Sequence, residues 1–225
     1  MRRLLALLLP ILALIAVPVA AQVVTVSETV EVAEQVGEGG SERFVAAAPI
    51  QLPHGIASYG PFRVLDAGRA ALVGATDEAS PTQFAAMLRA YPGIALIEMI
   101  ECPGTEDDGA NLRLGRMIHA SGISTHVPAG GSVRSGGVEL FLAGKNRMAD
   151  PGAEFAVHSW ADEDGREAKD YPADAPENRA YIAYYEEMGM PEPQARAFYA
   201  MTNSVSNSQA KWLGSADIGQ WVHLD

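Results

Sequence analysis

With 225 residues, 48% of them apolar and 20% charged, the chain has the length of one domain and a globular balance that excludes global disorder. Its 28 acidic against 16 basic residues, a formal charge of −12, speak against nucleic acid as a partner, because phosphate contacts need clustered Lys and Arg. One cysteine, Cys102, excludes an intrachain disulfide framework and a Cys-rich zinc site, and the lack of any phosphate-loop or dinucleotide-binding glycine pattern means that no cofactor and no metal is expected.

Residues 1–21 read as a secretory signal peptide. Arg2 and Arg3 form a positive start, Leu4 to Val17 is an apolar run interrupted by Pro10, and Val19-Ala20-Ala21 supplies small residues before a cleavage point near Ala21. The alternative is an uncleaved anchor, although the run is short for a spanning helix, which needs about 20 residues. The expected location is the bacterial periplasm or the exterior. No integral span is expected after cleavage, and the remaining chain holds 14 basic against 28 acidic residues.

Residues 22–61 read as an N-terminal extension: 22–34 alternate like an edge strand, 35–45 are a Gly- and Glu-rich connector, and 46–60 are irregular. From Phe62 the pattern tightens. Short apolar strands are predicted at 62–66 and 70–73. Ser80-Pro81 predicts an N-cap with proline at the first helical position of a helix to about Tyr91. A strand at 95–100 leads to the sharp turn Cys102-Pro103-Gly104. A helix follows at 109–121, capped by Gly122, then a strand at 123–127, a short buried helix within 135–144 and a strand at 153–158. Residues 159–175 form an acidic loop, 176–188 and 191–203 two amphipathic helices, and 215–219 a last turn. Strands alternating with helices imply right-handed crossovers and a mostly parallel sheet in an α/β domain over 62–225.

Ligands bind at the carboxyl ends of strands in such sheets, and three spots fall there: Pro103-Gly104, Arg134-Ser135-Gly136-Gly137 and His158. On its own, Ser135 at a helix start reads as an ordinary N-cap. The combination points further. A serine nucleophile needs a base, which His158 can be, and backbone amides for the oxyanion, which Gly104 and Gly136 can supply.

These stretches resemble a known family. Glu101 to Thr105 (ECPGT), 125–127 (THV), 134–144 (RSGGVELFLAG), Arg147 and 155–158 (FAVH) match, in order and spacing, the Clp-protease-like branch of the ClpP/crotonase superfamily, and residues 62–225 look like its exported bacterial members. The resemblance implies stacked ββα units with a mostly parallel sheet and a C-terminal helical appendage. It implies Ser135 as nucleophile, His158 as general base, Gly104 and Gly136 as oxyanion amides, and a peptide or small acyl substrate. A homo-oligomer stays open, and an ATP-driven unfoldase is not expected outside the cytoplasm. Three departures stand out: Thr105 replaces a glycine in a turn that is also longer, Cys102 stands where the family has a serine, and residues 202–210 hold no acid where the family has an aspartate. Asn207, 49 residues after His158, is the candidate third member, expected at Nδ1, with Asn203, Asp164 and Asp170 as competitors. A missing acid also fits a catalytically silent binding or scaffold protein.

Other readings are weaker. An α/β-hydrolase elbow needs glycine two residues before the serine, where Val133 stands. A crotonase-type acyl-CoA enzyme lacks a basic patch for phosphates. Cys102 reads as a small buried residue, His119 and His126 as exposed polar residues, Asp162, Glu163 and Asp164 as a solvated loop with a calcium contact left open, and Trp160 as packing.

Overall fold

In the computed structural model, residues 51–225 are described in full and, before them, only the strand β1 (Gln35–Glu38). The expected edge strand at 22–34 lies outside the described residues. A meander follows, β2 (Ala57–Tyr59), β3 (Phe62–Val64) and β4 (Arg69–Leu72), and then α1 (Ser80–Ala90). From there one plan repeats. β5 (Leu96–Met99) and β6 (Glu101–Cys102) lead into α2 (Asp108–Ala120). β7 (Ser124–Val127) and β8 (Ser132–Arg134) lead into α3 (Gly136–Leu142). β9 (Arg147–Ala149) and β10 (Glu154–Val157) lead through the acidic loop into α4 (Pro176–Glu187) and α5 (Glu192–Thr202). The chain closes with β11 (Gln209–Gly214) and α6 (Ser215–Ile218).

In each repeat the first strand joins one sheet and the second joins another. The orders are β2-β3-β4-β5-β7-β9 and β1-β11-β10-β8-β6. β4, β5, β7 and β9 run parallel, as do β6, β8 and β10. Antiparallel strands close the edges: β2 and β3 on one sheet, β11 and β1 on the other. This is the stacked ββα architecture expected above, with the parallel strands divided between two sheets.

Local chemistry explains the helix bounds. Asp107 caps α2 by accepting the Ala110 N–H at 2.7 Å, and Gly122, at φ 66°, takes the left-handed turn that ends it. Ser80 is not the cap of α1. It is the first helical residue, and its hydroxyl donates to Asp77 Oδ1 at 2.8 Å, tying the helix to the turn before it. Every residue of α3 is buried between the sheets and α2.

The core is continuous. Phe62 stacks on Phe84 and Phe141 on Phe155, with ring centres 5.5 and 5.0 Å apart. The two late helices belong to it: Tyr184, Tyr185, Met188 and Phe198 are buried in the same cluster. Gly115 of α2 makes their docking possible, because a Cβ there would stand 2.0 Å from the Tyr184 hydroxyl. Arg147 ties the same corner, donating to the carbonyls of Leu142 and Met188 at 2.7 Å each.

Six strands depart from expectation. β1 forms in the stretch read as a connector, β2 in the stretch read as irregular, β6 in the stretch read as a sharp turn, and β8, β9 and β11 in stretches given no element. All are held by pairing with neighbouring strands, Gln35 to Trp212 and Phe155 to Leu213 for example, and not by a pattern of their own.

Candidate active site

β6, β8 and β10 lie side by side and parallel, so their carboxyl ends share one edge of the sheet. From those ends come Pro103-Gly104, Ser135 and His158. Pairing continues one step beyond β8, where the Ser135 N–H donates to the Ala156 carbonyl at 2.9 Å.

Ser135 is the only non-glycine with positive φ among the described residues, at φ 49° and ψ −129°. A Cβ in that conformation costs about 1–3 kcal/mol and persists only where the surroundings impose it. Ser135 stands at the N-cap of α3, yet its hydroxyl makes no capping hydrogen bond. The N-cap reading therefore does not account for this serine. Its side chain borders a cavity of about 310 Å³ shared with Gly136, Thr105, His158 and Asn207.

Three glycines let the backbones close around the serine. A Cβ at Gly104 (φ 128°) would stand 3.0 Å from Ser135 Cβ. One at Gly136 would meet Thr105 Cγ2 at 2.6 Å, and one at Gly137 would meet Cys102 Cβ at 3.1 Å. Thr105, not Gly104, is among the residues bordering the cavity. The Thr76 backbone bonds the Gly104 carbonyl and the Glu106 N–H, which turns the N–H of Thr105 to the opposite side.

Asn111 went unnoticed in the sequence. It is buried, donates to the Gly136 carbonyl at 2.7 Å and accepts the Thr76 hydroxyl at 2.9 Å. It thus fixes the Gly136–Gly137 peptide, one step beyond the serine. Asn111→Ala strands both partners and is expected to cost about 1–3 kcal/mol, read as a lower denaturant midpoint at unchanged slope.

His158 contacts its neighbours through Nδ1, which lies 2.9 Å from the Ser159 carbonyl. A carbonyl oxygen only accepts, so this bond puts the proton on Nδ1 and leaves the Nε2 lone pair free. Asn207 does reach the ring, as expected, but with its nitrogen: Nδ2 is 3.3 Å from Nδ1 and donates to the same Ser159 carbonyl at 2.9 Å. The backbone carbonyl therefore sets the tautomer and Asn207 braces the carbonyl. The Asn207 N–H is held in turn by Glu167 Oε1 at 2.9 Å, an interaction that draws the Glu167 carboxyl below its usual pKa. The competitors are engaged elsewhere: Asn203 donates to Tyr199, Asp164 pairs with Arg166, and Asp170 accepts the Glu167 N–H. Among the described residues, Ser135 Oγ and His158 share the cavity but make no hydrogen bond with each other.

Three carboxyls that the sequence reading passed over, Glu106, Asp108 and Glu139, also border the cavity. Glu139, one turn after Ser135, is 6% exposed. Burial pushes its pKa up to about 7, against the pull of the Tyr185 hydroxyl that donates to Oε1 at 2.7 Å. Asp108 is also raised, by desolvation first, while the Tyr181 hydroxyl lowers it. The signal for Glu139 was a lone acid inside an otherwise apolar helix.

The remaining candidates resolve simply. Cys102 is buried, and burial pushes its thiol far up, away from the thiolate form. His126 is not a free surface residue: its ring lies between Glu98 (2.6 Å) and Asp150 (3.1 Å). Asp162 is taken up by Tyr171, by Arg166 and by two backbone amides. No group of three metal-ligating side chains occurs among the described residues, and no described helix is long and apolar enough to cross a membrane. Trp160 borders the cavity and donates to the Tyr199 hydroxyl at 2.8 Å.

No family model and no curated protein matches the sequence. Among solved structures the chain is similar to a mutant of the 1510-N membrane-bound stomatin-specific protease in complex with a substrate peptide. That likeness has 16% identity over 70% of this chain and 72% of that one, with a TM-score of 0.49. It is also similar to a ClpP1 mutant from Listeria monocytogenes, at 17% identity over 69% and 88% with a TM-score of 0.47. A third is the 1510-N membrane protease specific for a stomatin homolog from Pyrococcus horikoshii, at 16% identity, 69% coverage of both chains and a TM-score of 0.44. At such scores the chemistry of the site rests on its geometry alone.

Proposed function

We propose that this chain is an exported serine hydrolase, a peptidase by preference, working by acyl transfer. Ser135 Oγ attacks the carbonyl carbon while His158 Nε2 takes its proton. The oxyanion is received by the Gly136 N–H and by the Gly104-Thr105 turn. Collapse expels the amine, which takes the proton from His158. Water then repeats the cycle on the acyl-serine and regenerates the hydroxyl. The observation that carries this reading is the strained backbone of Ser135, holding an uncapped hydroxyl in a cavity shared with a histidine whose Nδ1 is engaged by a backbone carbonyl. Export is supported by the basic, apolar and small-residue pattern of residues 1–21.

The test is labelling by a fluorophosphonate, which bonds covalently to activated serines. Labelling of Ser135, located by peptide mapping, supports the reading. No labelling where a reference serine hydrolase reacts overturns it. One observation favours a second reading, a silent binding or scaffold protein: Ser135 and His158 make no mutual hydrogen bond, although such bonds often tighten only with substrate. Ligand binding without labelling is its signature.

Asn207→Ala leaves the bond from His158 to Ser159 in place and removes only its brace. It is expected to lower kcat by about tenfold, far less than loss of His158 itself, because general base catalysis alone is worth about 10²–10⁴.

A further inference from the structure

We propose that the cavity beside Ser135 selects substrates with a positively charged side chain next to the bond that is cut, the amine or guanidinium being received by Glu139 with Asp108 at the mouth. This rests on the hydrolase reading for the cut itself, but not for the binding.

Three observations point the same way. First, the cavity is bordered by the carboxyls of Glu106, Asp108 and Glu139 and by no lysine or arginine. Second, Glu139 is more than nine-tenths buried yet has no cationic partner among the described residues. Oε1 takes the Tyr185 hydroxyl, and desolvation dominates the carboxyl's surroundings. A buried carboxylate without an opposite charge is costly, and a cation brought by a ligand offsets that cost. Third, the position is right. Glu139 lies four residues after Ser135, so it sits one helical turn, about 5.4 Å, along α3 from the nucleophile. The volume, about 310 Å³, is at the small end of ligand pockets, which run to about 300–1,000 Å³.

The surrounding hydroxyls keep this site acceptor-rich. Burial holds Tyr181 and Tyr185 well above their usual pKa, so both stay protonated and donate to the carboxyls without competing for the cation. The charge facing Glu139 from a packed element is Asp108 on α2, and His158 after β10 borders the same cavity. A neutral side chain entering here leaves the Glu139 carboxyl without a counter-charge, and rejection by an uncompensated buried group is the stronger kind of discrimination.

The test compares two blocked pentapeptides that differ only at the central residue, lysine in one and norleucine in the other. Binding is measured by calorimetry on the Ser135→Ala protein, where nothing is cut, and turnover is measured on the unaltered protein. The lysine peptide is expected to bind about ten- to a hundredfold more tightly, the span of a hydrogen bond to a charged group. Glu139→Gln, in the same Ser135→Ala background, should erase most of that ratio. Asp108→Asn, a milder change at the mouth, should reduce it. Equal binding, a norleucine preference, no binding of either peptide at millimolar concentration, or a ratio unmoved by both variants overturns the proposal. Selective binding without turnover overturns the hydrolase reading and leaves the cation selectivity standing.

Discussion

Ser135→Ala is expected to remove fluorophosphonate labelling and to lower peptide hydrolysis by about 10³- to 10⁶-fold, and His158→Ala by a comparable factor. The two act as one device, the hydroxyl being a weak nucleophile until Nε2 removes its proton. The double variant should therefore be no worse than the poorer single one. Progress curves for the three variants, with folding checked by circular dichroism, decide this. Additive losses would mean that His158 does not act on Ser135. A backbone consequence separates chemistry from architecture. Ser135→Gly removes the Cβ from a positive-φ position, so it should be more stable than Ser135→Ala by about 1 kcal/mol while equally inactive.

Glu139→Gln is expected to make the protein more stable at neutral pH and to flatten its pH dependence. The carboxyl rises from 4.5 to about 7 on folding. Between those values the unfolded chain releases a proton that the folded chain keeps, so stability falls as pH rises through that window and is level above it. The full drop is about 3 kcal/mol, from 1.36 kcal/mol for each tenfold in proton affinity. Glutamine does not ionise and still accepts the Tyr185 hydroxyl, so it escapes the loss. Denaturant midpoints at pH 4.5 and 8 should show the variant gaining on the parent only at the higher value. Parallel curves would mean that Glu139 is solvated in the folded protein. The gain in stability and the expected loss of lysine selectivity would come from one substitution, as is common where a binding site holds an uncompensated group.

The elements that could be read from sequence are those with a period long enough to show. α1, α2, α4 and α5 stand within a residue or two of expectation because each spans three turns with an apolar face. β6, β8 and β9 are two or three residues long, too short for alternation, and only their pairing reveals them. In the first repeat the division into two sheets turns on the single residue between Met99 and Glu101, where periodicity carries no message. His158 stood out as the end of an expected strand followed by a break in pattern, and Ser135 through its glycine neighbours and the family resemblance of its motif. Gly136 followed from its neighbour, whereas Gly104 marks a close approach to Ser135 and the cavity wall is Thr105. Asn111 and Glu139 were hidden because a polar residue on a helix looks solvent-facing until another helix covers it. Here Tyr184 and Tyr185 of α4 provide the cover, through bonds to Glu139 that span 45 and 46 positions.

The placing of Pro103-Gly104, Ser135 and His158 on three parallel strands, each from a different repeat, has a consequence for biogenesis. On the proposed reading, no fragment of the chain would hold a complete centre. Ser135 is held in its strained form by strands that flank β8, and residue 207 reaches the His158 ring across 49 positions. Contacts of such separation form late and slowly. If the hydrolase reading holds, a nascent chain would therefore be inert toward its own exposed peptide bonds, and competence would arrive only with the last strand to dock.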